Sequence, residues 1–254
     1  MTKNIAHRGF SIKYPENTML AFRKAVEAHC DAIELDVQMS SDGELMIFHD
    51  EELNRTTDGT GFLKDYSRSE LLTLDAGKLF LTREEVTRIP TLEEYLTFIS
   101  ETNIETVIEL KNSVIYYPDM EEKIISMIRA FHLSDRTILS SFNRESIRKC
   151  HSLAPEIRTA LITESWIYRA GALTKSLGAS YYHPRHIFLT PWNLAEMRRE
   201  GILVQPWTVN DGRRMKRLLK SHVHGIITND PELLHGIIQK STGNELISDP
   251  QRTK

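Results

Sequence analysis

The stretch NIAHRGFSIKYPENTMLAFRKAVEAHCDAIELDV, residues 4–37, places two β-rich runs on either side of a segment with helical periodicity. NIAHR and AIELDV predict strands. Between them, ENTMLAFRKAVEAH repeats its apolar residues near a period of 3.6, and Pro15 and Asn17 are typical of a helix start. A strand, a helix and a second strand in this order predict a parallel βαβ unit.

The rest of the chain continues this alternation. The further predicted strands are TVIELK (106–111), TILSSF (137–142), RTALIT (158–163), ASYYH (179–183), LVQPWTV (203–209) and GIITN (225–229). The further predicted helices are TLEEYLTFISE (91–101), MEEKIISMIRAF (120–131), ESIRKCHSLA (145–154), NLAEMRRE (193–200), GRRMKRLLKS (212–221) and PELLHGIIQ (231–239), and 165–178 can also be helical. Eight strands separated by helices favour a (β/α)8 TIM barrel. An open, doubly wound sheet is the alternative, although no GxGxxG follows the first strand.

Length and composition indicate one globular unit. The chain has 254 residues, 40% hydrophobic and 26% charged, and barrels of about 250 residues often form a single domain. We therefore expect one domain over 1–254, with an insertion or cap after the second strand at about 51–90. A loose polar tail is expected at about 243–254, where the sequence reads GNELISDPQRTK.

Charge and cysteine content limit the partners and the compartment. The formal net charge is −3 without a basic block, so no nucleic-acid partner is expected, and an anionic substrate needs a local positive site. The apolar runs are too short for a transmembrane segment, and MTKNIAHRG is too polar for a secretory signal. We interpret Cys30 and Cys150 as reduced thiols and predict a cytoplasmic protein. Oligomeric state is left open.

One segment breaks the alternation of strands and helices. MSSDGELMIFHD, residues 39–50, predicts a hairpin that grows out of the second strand. If its turn centres between Ser41 and Asp42, His49 falls opposite Glu34. The long insertion that follows is of a length that usually forms a functional loop or a small subdomain.

Polar residues end the first three predicted barrel strands, and the hairpin returns a histidine to the same place. Residues two apart in a strand share a face, and the carboxyl ends of barrel strands form the mouth where active sites lie. The residues expected to converge there are His7, Arg8, Glu34, Asp36, His49, Glu109 and Lys111.

This combination favours phosphate chemistry at a metal. Three carboxylates facing one cavity repel one another unless a cation joins them, and oxygen ligands suit Mg²⁺, Ca²⁺ or Mn²⁺ better than Zn²⁺. Arg8 and Lys111 add the positive charge that binds a phosphate. His7 and His49 suggest one general base and one general acid, without deciding which is which.

Each residue taken alone has a simpler interpretation. Glu34 with Asp36 suits the polar face of an edge strand, and Glu109 with Lys111 suits a surface ion pair. Trp207 suits a core residue as well as a substrate contact. We assign structural roles to the other histidines, which are His29, His132, His151, His183, His186, His222, His224 and His235.

The motifs resemble those of the glycerophosphodiester phosphodiesterase family, over nearly the whole chain and in family order. They are AHRG (6–9), PENT (15–18), ELDV (34–37), DG (42–43), FHD (48–50), RTTDGTG (55–61), LDAG (74–77), IPTLEE (89–94), IELK (108–111), SSF (140–142), WTVN (207–210) and GIITNDP (225–231). In GIITNDP many members have Thr-Asp before the proline. We expect this departure to affect a barrel-closing turn more than the chemistry.

The resemblance implies a (β/α)8 barrel related to the phospholipase-C-like phosphodiesterases, with the 51–90 insertion capping its mouth. It implies one divalent cation held by Glu34, Asp36 and Glu109. The same resemblance assigns the catalytic histidine pair and the phosphate contacts. The catalytic pair is His7 and His49, the phosphate contacts are Arg8 and Lys111, and a glycerol arm is expected to pack near Phe142 and Trp207. Gly9 is expected to keep side-chain atoms away from the ligand, and Glu16 to bond within the site.

The expected reaction is hydrolysis of a small glycerophosphodiester to glycerol 3-phosphate and an alcohol. The attacking oxygen belongs either to water or to the glycerol 2-hydroxyl of the substrate, through a cyclic phosphate. A lysophospholipase D is one alternative, with an apolar groove from Phe62, Leu63, Leu79, Phe80 and Leu81. A non-catalytic phosphoester-binding barrel is another, which the full set of acids and histidines disfavours. Head-group preference is left open.

Overall fold

The computed structural model describes residues 1–80 and 86–247, with side chains described up to Ser241. Nine strands are present in this part of the chain. They are β1 Lys3–His7, β2 Ala32–Met39, β3 Leu45–Ile47, β4 Glu105–Leu110, β5 Thr137–Ser141, β6 Arg158–Thr163, β7 Tyr181–Pro184, β8 Leu203–Val204 and β9 Gly225–Thr228. The helices are α1 Met19–Glu27, α2 Arg68–Leu71, α3 Leu92–Ser100, α4 Met120–Ala130, α5 Arg144–Leu153, α6 Ala170–Ser176, α7 Pro191–Glu200, α8 Gly212–Lys220 and α9 Pro231–Ile247.

Eight parallel strands form a nearly closed barrel, as the sequence predicts. Their order is β8-β7-β6-β5-β4-β2-β1-β9, while β3 pairs with β2 antiparallel. Backbone hydrogen bonds join the two ends of this series, because His224 donates to the carbonyl of Val204 at 2.9 Å and Ile227 donates to that of Pro206 at 3.0 Å. Each helix between two parallel strands packs on the outside, as in βαβ units.

The barrel interior contains an apolar layer with a polar layer above it. Alternate residues of the strands point inwards, since the side-chain period of a strand is two. The lower interior cluster is Ile5, Ala32, Val107, Ile138, Ala160, Tyr181 and Ile227, with Trp207 packed against it. Two residues further along the strands, the inward positions include His7, Glu34 and Glu109. The fold therefore places the polar residues above a closed apolar floor.

The strand β8 is shorter than predicted. The sequence predicts a strand over 203–209, whereas the structure has only Leu203–Val204. Pro206 has no amide hydrogen to donate towards β9, which interrupts regular pairing on that side. Gln205 and Trp207 still donate to the carbonyls of Tyr182 and Pro184 on the β7 side, at 3.0 Å each. An isolated bridge then pairs Arg185 with Trp207, which holds Trp207 at the mouth.

The predicted polar tail starts too early. The helix α9 continues to Ile247, so 243–247 is helical, and 248–254 lies outside the described residues. No proline interrupts this segment, and the Glu, Leu and Ile after Gly243 tolerate a helix. No helix in the described chain is long and apolar enough to span a bilayer.

The insertion and the hairpin share a small core. The insertion contains a 3-10 turn at Leu63–Asp65 and the short helix α2. The buried residues of this core are Met46 and Phe48 from the hairpin and Leu53, Leu63, Leu71, Ala76 and Ile89 from the insertion. The chain returns beside the hairpin, where Ile47 donates to the carbonyl of Pro90 at 2.8 Å. The predicted insertion residues 81–85 lie outside the described residues.

Gly9 lies against the backbone of α1, which leaves no room for a side chain at this position. Its φ is +80°, and a Cβ there would lie 2.7 Å from the carbonyl carbon of Ala21 in α1. A side chain would therefore meet helix backbone in a conformation that favours glycine. This corrects the expectation that Gly9 clears space for substrate.

Candidate active site

Strand pairing brings the predicted polar residues of β1, β2 and β4 side by side. His7 pairs with Glu34, and Asp36 pairs with Glu109. All four residues lie at the carboxyl ends of neighbouring strands, where a barrel has its mouth. Parallel register thus assembles residues that are far apart in the sequence.

Glu34, Asp36 and Glu109 form a buried acidic triad. They are 5%, 0% and 8% exposed, and one carboxylate oxygen from each lies within 4.8 Å of the others. Burial and the neighbouring carboxylates raise the pKa of Glu34 well above its usual value. Burial also raises the pKa of Glu109, which the nearby Lys111 lowers only in part.

Asp36 is the acid held most firmly in its charged form. Burial would raise its pKa, but the charges of Arg8, His49 and Lys111 together hold the pKa below its usual value. Arg8 Nε lies 3.1 Å from Asp36 Oδ2, and the Asn17 side-chain amide donates to the same oxygen at 2.8 Å. The other oxygen, Oδ1, is buried without a hydrogen-bond partner.

This donor set fits a hard divalent cation. Buried carboxylates repel one another unless a cation or protons lie between them. Asp36 Oδ1 has no hydrogen-bond partner and only a long ion-pair contact with Lys111 Nζ at 3.9 Å, so this buried carboxylate keeps an oxygen that can bind a cation. Oxygen donors alone suit Mg²⁺, Ca²⁺ or Mn²⁺.

Arg8 and Lys111 place positive charge beside the triad. Burial would lower the pKa of Arg8, but Asp36, Glu16 and Glu34 raise it above its usual value. Burial likewise opposes the charge of Lys111, and Glu109 and Asp36 outweigh it, so that pKa is also raised. Lys111 Nζ lies 3.1 Å from Glu109 Oε1. The site therefore has two permanent cations that can bind an anion.

His7 is neutral and held in one orientation. Its Nδ1 lies 2.7 Å from Asn229 Oδ1, so Nδ1 carries the proton and donates it to the amide oxygen. Burial and the charge of Arg8 lower the pKa of His7 to about 3. Its other ring nitrogen, Nε2, lies 3.9 Å from Glu34 Oε2. The lone pair of Nε2 is thus directed towards the triad.

His49 is oriented by a network of charged side chains. Its Nδ1 lies 2.5 Å from Asp50 Oδ1. Arg55 binds Asp50 and also Glu16, the latter at 2.7 Å. Glu16 accepts a further hydrogen bond from Arg8 at 2.8 Å, which agrees with the expectation that it bonds within the site. The network links the histidine on the hairpin to the arginine that follows β1.

The hairpin register differs by one residue from the expectation. Val37 pairs with Ile47 and Met39 with Leu45, so the turn centres on Asp42, and His49 does not lie directly opposite Glu34. Gly43 has a φ of +80° in this turn, a backbone conformation that glycine adopts readily and that lets the chain reverse between β2 and β3. Regular pairing ends at Ile47, and the chain beyond it still carries His49 to the mouth.

These groups open into one cavity of about 610 Å³. Phe142 and Trp207 form part of its wall, in an edge-to-face contact with ring centroids 5.8 Å apart. Trp207 Nε1 donates to the carbonyl of His183 at 2.8 Å. The full lining is His7, Arg8, Glu34, His49, Glu51, Glu109, Lys111, Ser113, Val114, Ser140, Phe142, Ile162, Glu164, His183, Trp207 and Ile227.

Sequence reasoning missed several residues that support the site. The sequence predicts that Asn229 matters for a turn, yet this residue contacts His7 directly. The motifs PENT, FHD and RTTDGTG contain Asn17, Asp50 and Arg55, respectively. These residues therefore belong to the motifs that carry the resemblance, but the sequence alone assigned them no role. His183, predicted to be structural, lines the cavity with its Nε2 buried and unpartnered.

One residue of the apolar groove expected for a lysophospholipase D is inaccessible. Leu63 is fully buried in the core of the insertion, while Phe62 and Leu79 are exposed. Leu81 lies outside the described residues. Leu63 therefore cannot contribute to an accessible groove.

Comparison with known proteins gives matches over nearly the whole chain. Residues 7–233 match the sequence pattern of the Glycerophosphoryl diester phosphodiesterase family. The chain is 40% identical to a glycerophosphodiester phosphodiesterase of Bacillus altitudinis, covering 91% of this chain and 96% of that protein. It is 39% identical to one of Caldanaerobacter subterraneus subsp. tengcongensis, covering 93% and 97%.

A solved structure extends the comparison. An Oleispira antarctica phosphodiesterase, solved in complex with the product sn-glycerol-3-phosphate, superposes with a TM-score of 0.85 at 28% identity. The match covers 92% of this chain and 96% of that one. These matches confirm the resemblance that the sequence motifs carry.

Proposed function

This chain belongs to the glycerophosphoryl diester phosphodiesterase family and is an enzyme of that class, and we propose that it hydrolyses glycerophosphodiesters by metal-assisted acid–base catalysis with two histidines. The observation that carries this proposal is the buried acidic triad, of which Glu34 and Glu109 line the same cavity as Arg8, Lys111 and the two histidines. Such a constellation suits a phosphodiester, whose charge needs neutralising and whose leaving alcohol needs a proton.

In the proposed complex, Glu34, Asp36 and Glu109 hold one divalent cation, which when bound would neutralise charge on the phosphoryl oxygens. Arg8 and Lys111 bind the same phosphate from the side of β1 and β4. The edge-to-face pair of Phe142 and Trp207 supports a role as the wall against which the glycerol arm packs.

The hydrogen bonds of the two histidines support different roles for them. His7 is neutral with Nε2 free, which suits removal of the proton from the attacking oxygen. His49 is oriented by the carboxylate of Asp50, which can balance the charge of an imidazolium. We therefore assign proton donation to the leaving alcohol to His49.

A turnover assay tests the proposed substrate class. Glycerophosphocholine, incubated with the enzyme and Mg²⁺ or Ca²⁺, is expected to release glycerol 3-phosphate and choline. Lysophosphatidylcholine is expected to react far more slowly, because Leu63, one of the residues proposed to bind its acyl chain, is fully buried. A cyclic phosphate detected by ³¹P NMR would identify the glycerol 2-hydroxyl as the attacking oxygen. Preferred cleavage of lysophosphatidylcholine would replace this proposal with the lysophospholipase D.

Asn229→Asp is expected to shift the pH profile upwards. A carboxylate 2.7 Å from Nδ1 in place of the amide oxygen would stabilise the imidazolium form of His7 and raise its pKa by about one unit or more. The acid limb of kcat/KM should therefore move to higher pH, because a general base works only when deprotonated. Asn229→Ala is the control, since it removes the hydrogen bond without adding charge. An unchanged acid limb in Asn229→Asp would argue against His7 as the base.

The cysteines support the proposed cytoplasmic location. Cys30 and Cys150 are unpaired and buried, as expected for a chain that stays in a reducing compartment.

A further inference from the structure

The barrel rim carries an exposed aromatic cluster next to the cavity. Trp166 and Tyr168 lie between β6 and α6, and Trp192 lies in the first turn of α7. The ring centroids are 6.0 to 6.4 Å apart, and the three residues are 49%, 67% and 49% exposed. Ile187, after β7, is half exposed as well. Exposed apolar patches of this kind mark interaction sites.

Arginines without ion pairs lie at the same end of the barrel as this cluster. The segments that follow β5, β6, β7 and β8 each contribute at least one, and no guanidinium among them forms an ion pair or a side-chain hydrogen bond within the described residues. They are Arg144, Arg169, Arg185, Arg213 and Arg214. The acids nearby are Glu145, which pairs with Arg148, Asp211, which caps α8, and Glu164. This half of the rim is therefore positive, although the chain has a net charge of −3.

The cluster and the cavity belong to the same end of the barrel. Glu164 lines the cavity and lies two residues before Trp166. His183 also lines it, and Arg185 follows two residues later. Any surface bound by the cluster would thus lie beside the cavity mouth.

We propose that this half of the rim, defined by Trp166, Tyr168, Trp192 and the five arginines, binds the surface of a phospholipid bilayer that contains anionic lipid. Tryptophan and tyrosine rings settle at the level of lipid head groups. Arginines near them attract anionic phosphates. The inference does not depend on the proposed hydrolysis, since it uses residues outside the catalytic groups.

Two other occupants fit the rim less well. A symmetric contact between two copies would bring the unpaired arginines of one copy against those of the other. A single-stranded nucleic acid stacks its bases on accessible ring faces, whereas these rings contact one another, with Tyr168 stacked on Trp192 at an interplanar angle of 12°. A compact apolar patch at an end of the barrel that also carries unpaired arginines suits a lipid surface better.

Vesicle sedimentation with the full chain tests the proposal. The protein is expected to bind vesicles of phosphatidylcholine and phosphatidylglycerol in equal parts, with a blue shift of tryptophan fluorescence, and to bind pure phosphatidylcholine more weakly. Trp166→Ala with Trp192→Ala should lower the partition coefficient about tenfold or more, because two half-exposed rings no longer enter the interface. Arg169→Gln with Arg185→Gln should lower binding to the mixed vesicles by about tenfold and leave the pure vesicles nearly unaffected.

Matched controls separate the rim from general effects. Tyr116→Ala removes another exposed aromatic residue, on the loop between β4 and α4, and Arg199→Gln removes an exposed arginine at the far end of α7. Both should bind like the unmodified protein, and all variants should keep its melting temperature. Absence of vesicle binding, or binding unchanged in the rim variants, would overturn the proposal. The proposal would also be overturned if the rim substitutions abolished dimer formation or the binding of a single-stranded oligonucleotide, and not the binding of vesicles.

Discussion

His7→Ala and His49→Ala are each expected to lower turnover of glycerophosphocholine by about 10²-fold or more. His7 has Nδ1 bound to Asn229 and Nε2 directed towards the acidic triad, so its loss removes the proposed base. His49 is held by Asp50, and its loss removes the proposed acid. Steady-state kinetics, with melting curves to show that the fold is retained, measures both effects.

The leaving group distinguishes the two histidines. The p-nitrophenolate leaving group of a p-nitrophenyl phosphodiester needs little protonation. His49→Ala should therefore lose much less activity with this substrate than with glycerophosphocholine. His7→Ala should lose similar activity with both. His186→Ala is the control, because His186 lies at the end of β7 but does not line the cavity. Near-normal turnover of glycerophosphocholine by either variant would refute the role assigned to that residue.

Removal of divalent cations by a chelator is expected to abolish turnover, and Mg²⁺ or Ca²⁺ should restore it. The three acids lie within 4.8 Å of one another and are buried, so a bound cation would both join them and raise the affinity of the site for a phosphate. Glu34→Gln, Asp36→Asn and Glu109→Gln should each weaken metal binding, measured by calorimetry, and lower turnover by about 10²-fold or more.

Melting curves provide a readout that does not depend on activity. In the metal-free protein, Glu34→Gln should raise the melting temperature, because a neutral amide avoids the burial and the repulsion from Asp36 and Glu109 that raise the pKa of Glu34. The gain in melting temperature on adding Mg²⁺ should be smaller in this variant. Glu164→Gln is the matched control, since Glu164 lines the cavity but lies outside the triad. A fully active enzyme found metal-free by elemental analysis would contradict the proposed cofactor.

The sequence predicts the barrel well because strand and helix periods are local. Runs such as AIELDV and TVIELK carry their own signal, and the alternation of strands with helices implies parallel pairing. Local sequence patterns do not predict features that depend on contacts with neighbouring segments, such as strand length and hairpin register. The strand β8 ends at Val204, which the period of its neighbours does not reveal, and the hairpin register depends on a turn conformation at Gly43.

What the sequence determined by itself was the set of polar residues at strand ends. A period of two fixes which residues of a strand share a face, so the amino-acid sequence alone identifies Glu34 with Asp36 and Glu109 with Lys111 as pairs. The motifs then supply the family and, through it, the expected roles.

Only the tertiary structure decided which partners these residues have. The bond between His7 and Asn229 joins positions 222 apart in the chain, and it exists because β1 and β9 are neighbours in the barrel. Gly9 is excluded from bearing a side chain by α1, and the rim aromatics Trp166 and Trp192 meet across two loops. Such contacts depend on how the elements pack, and packing is a property of the whole barrel that no local pattern contains.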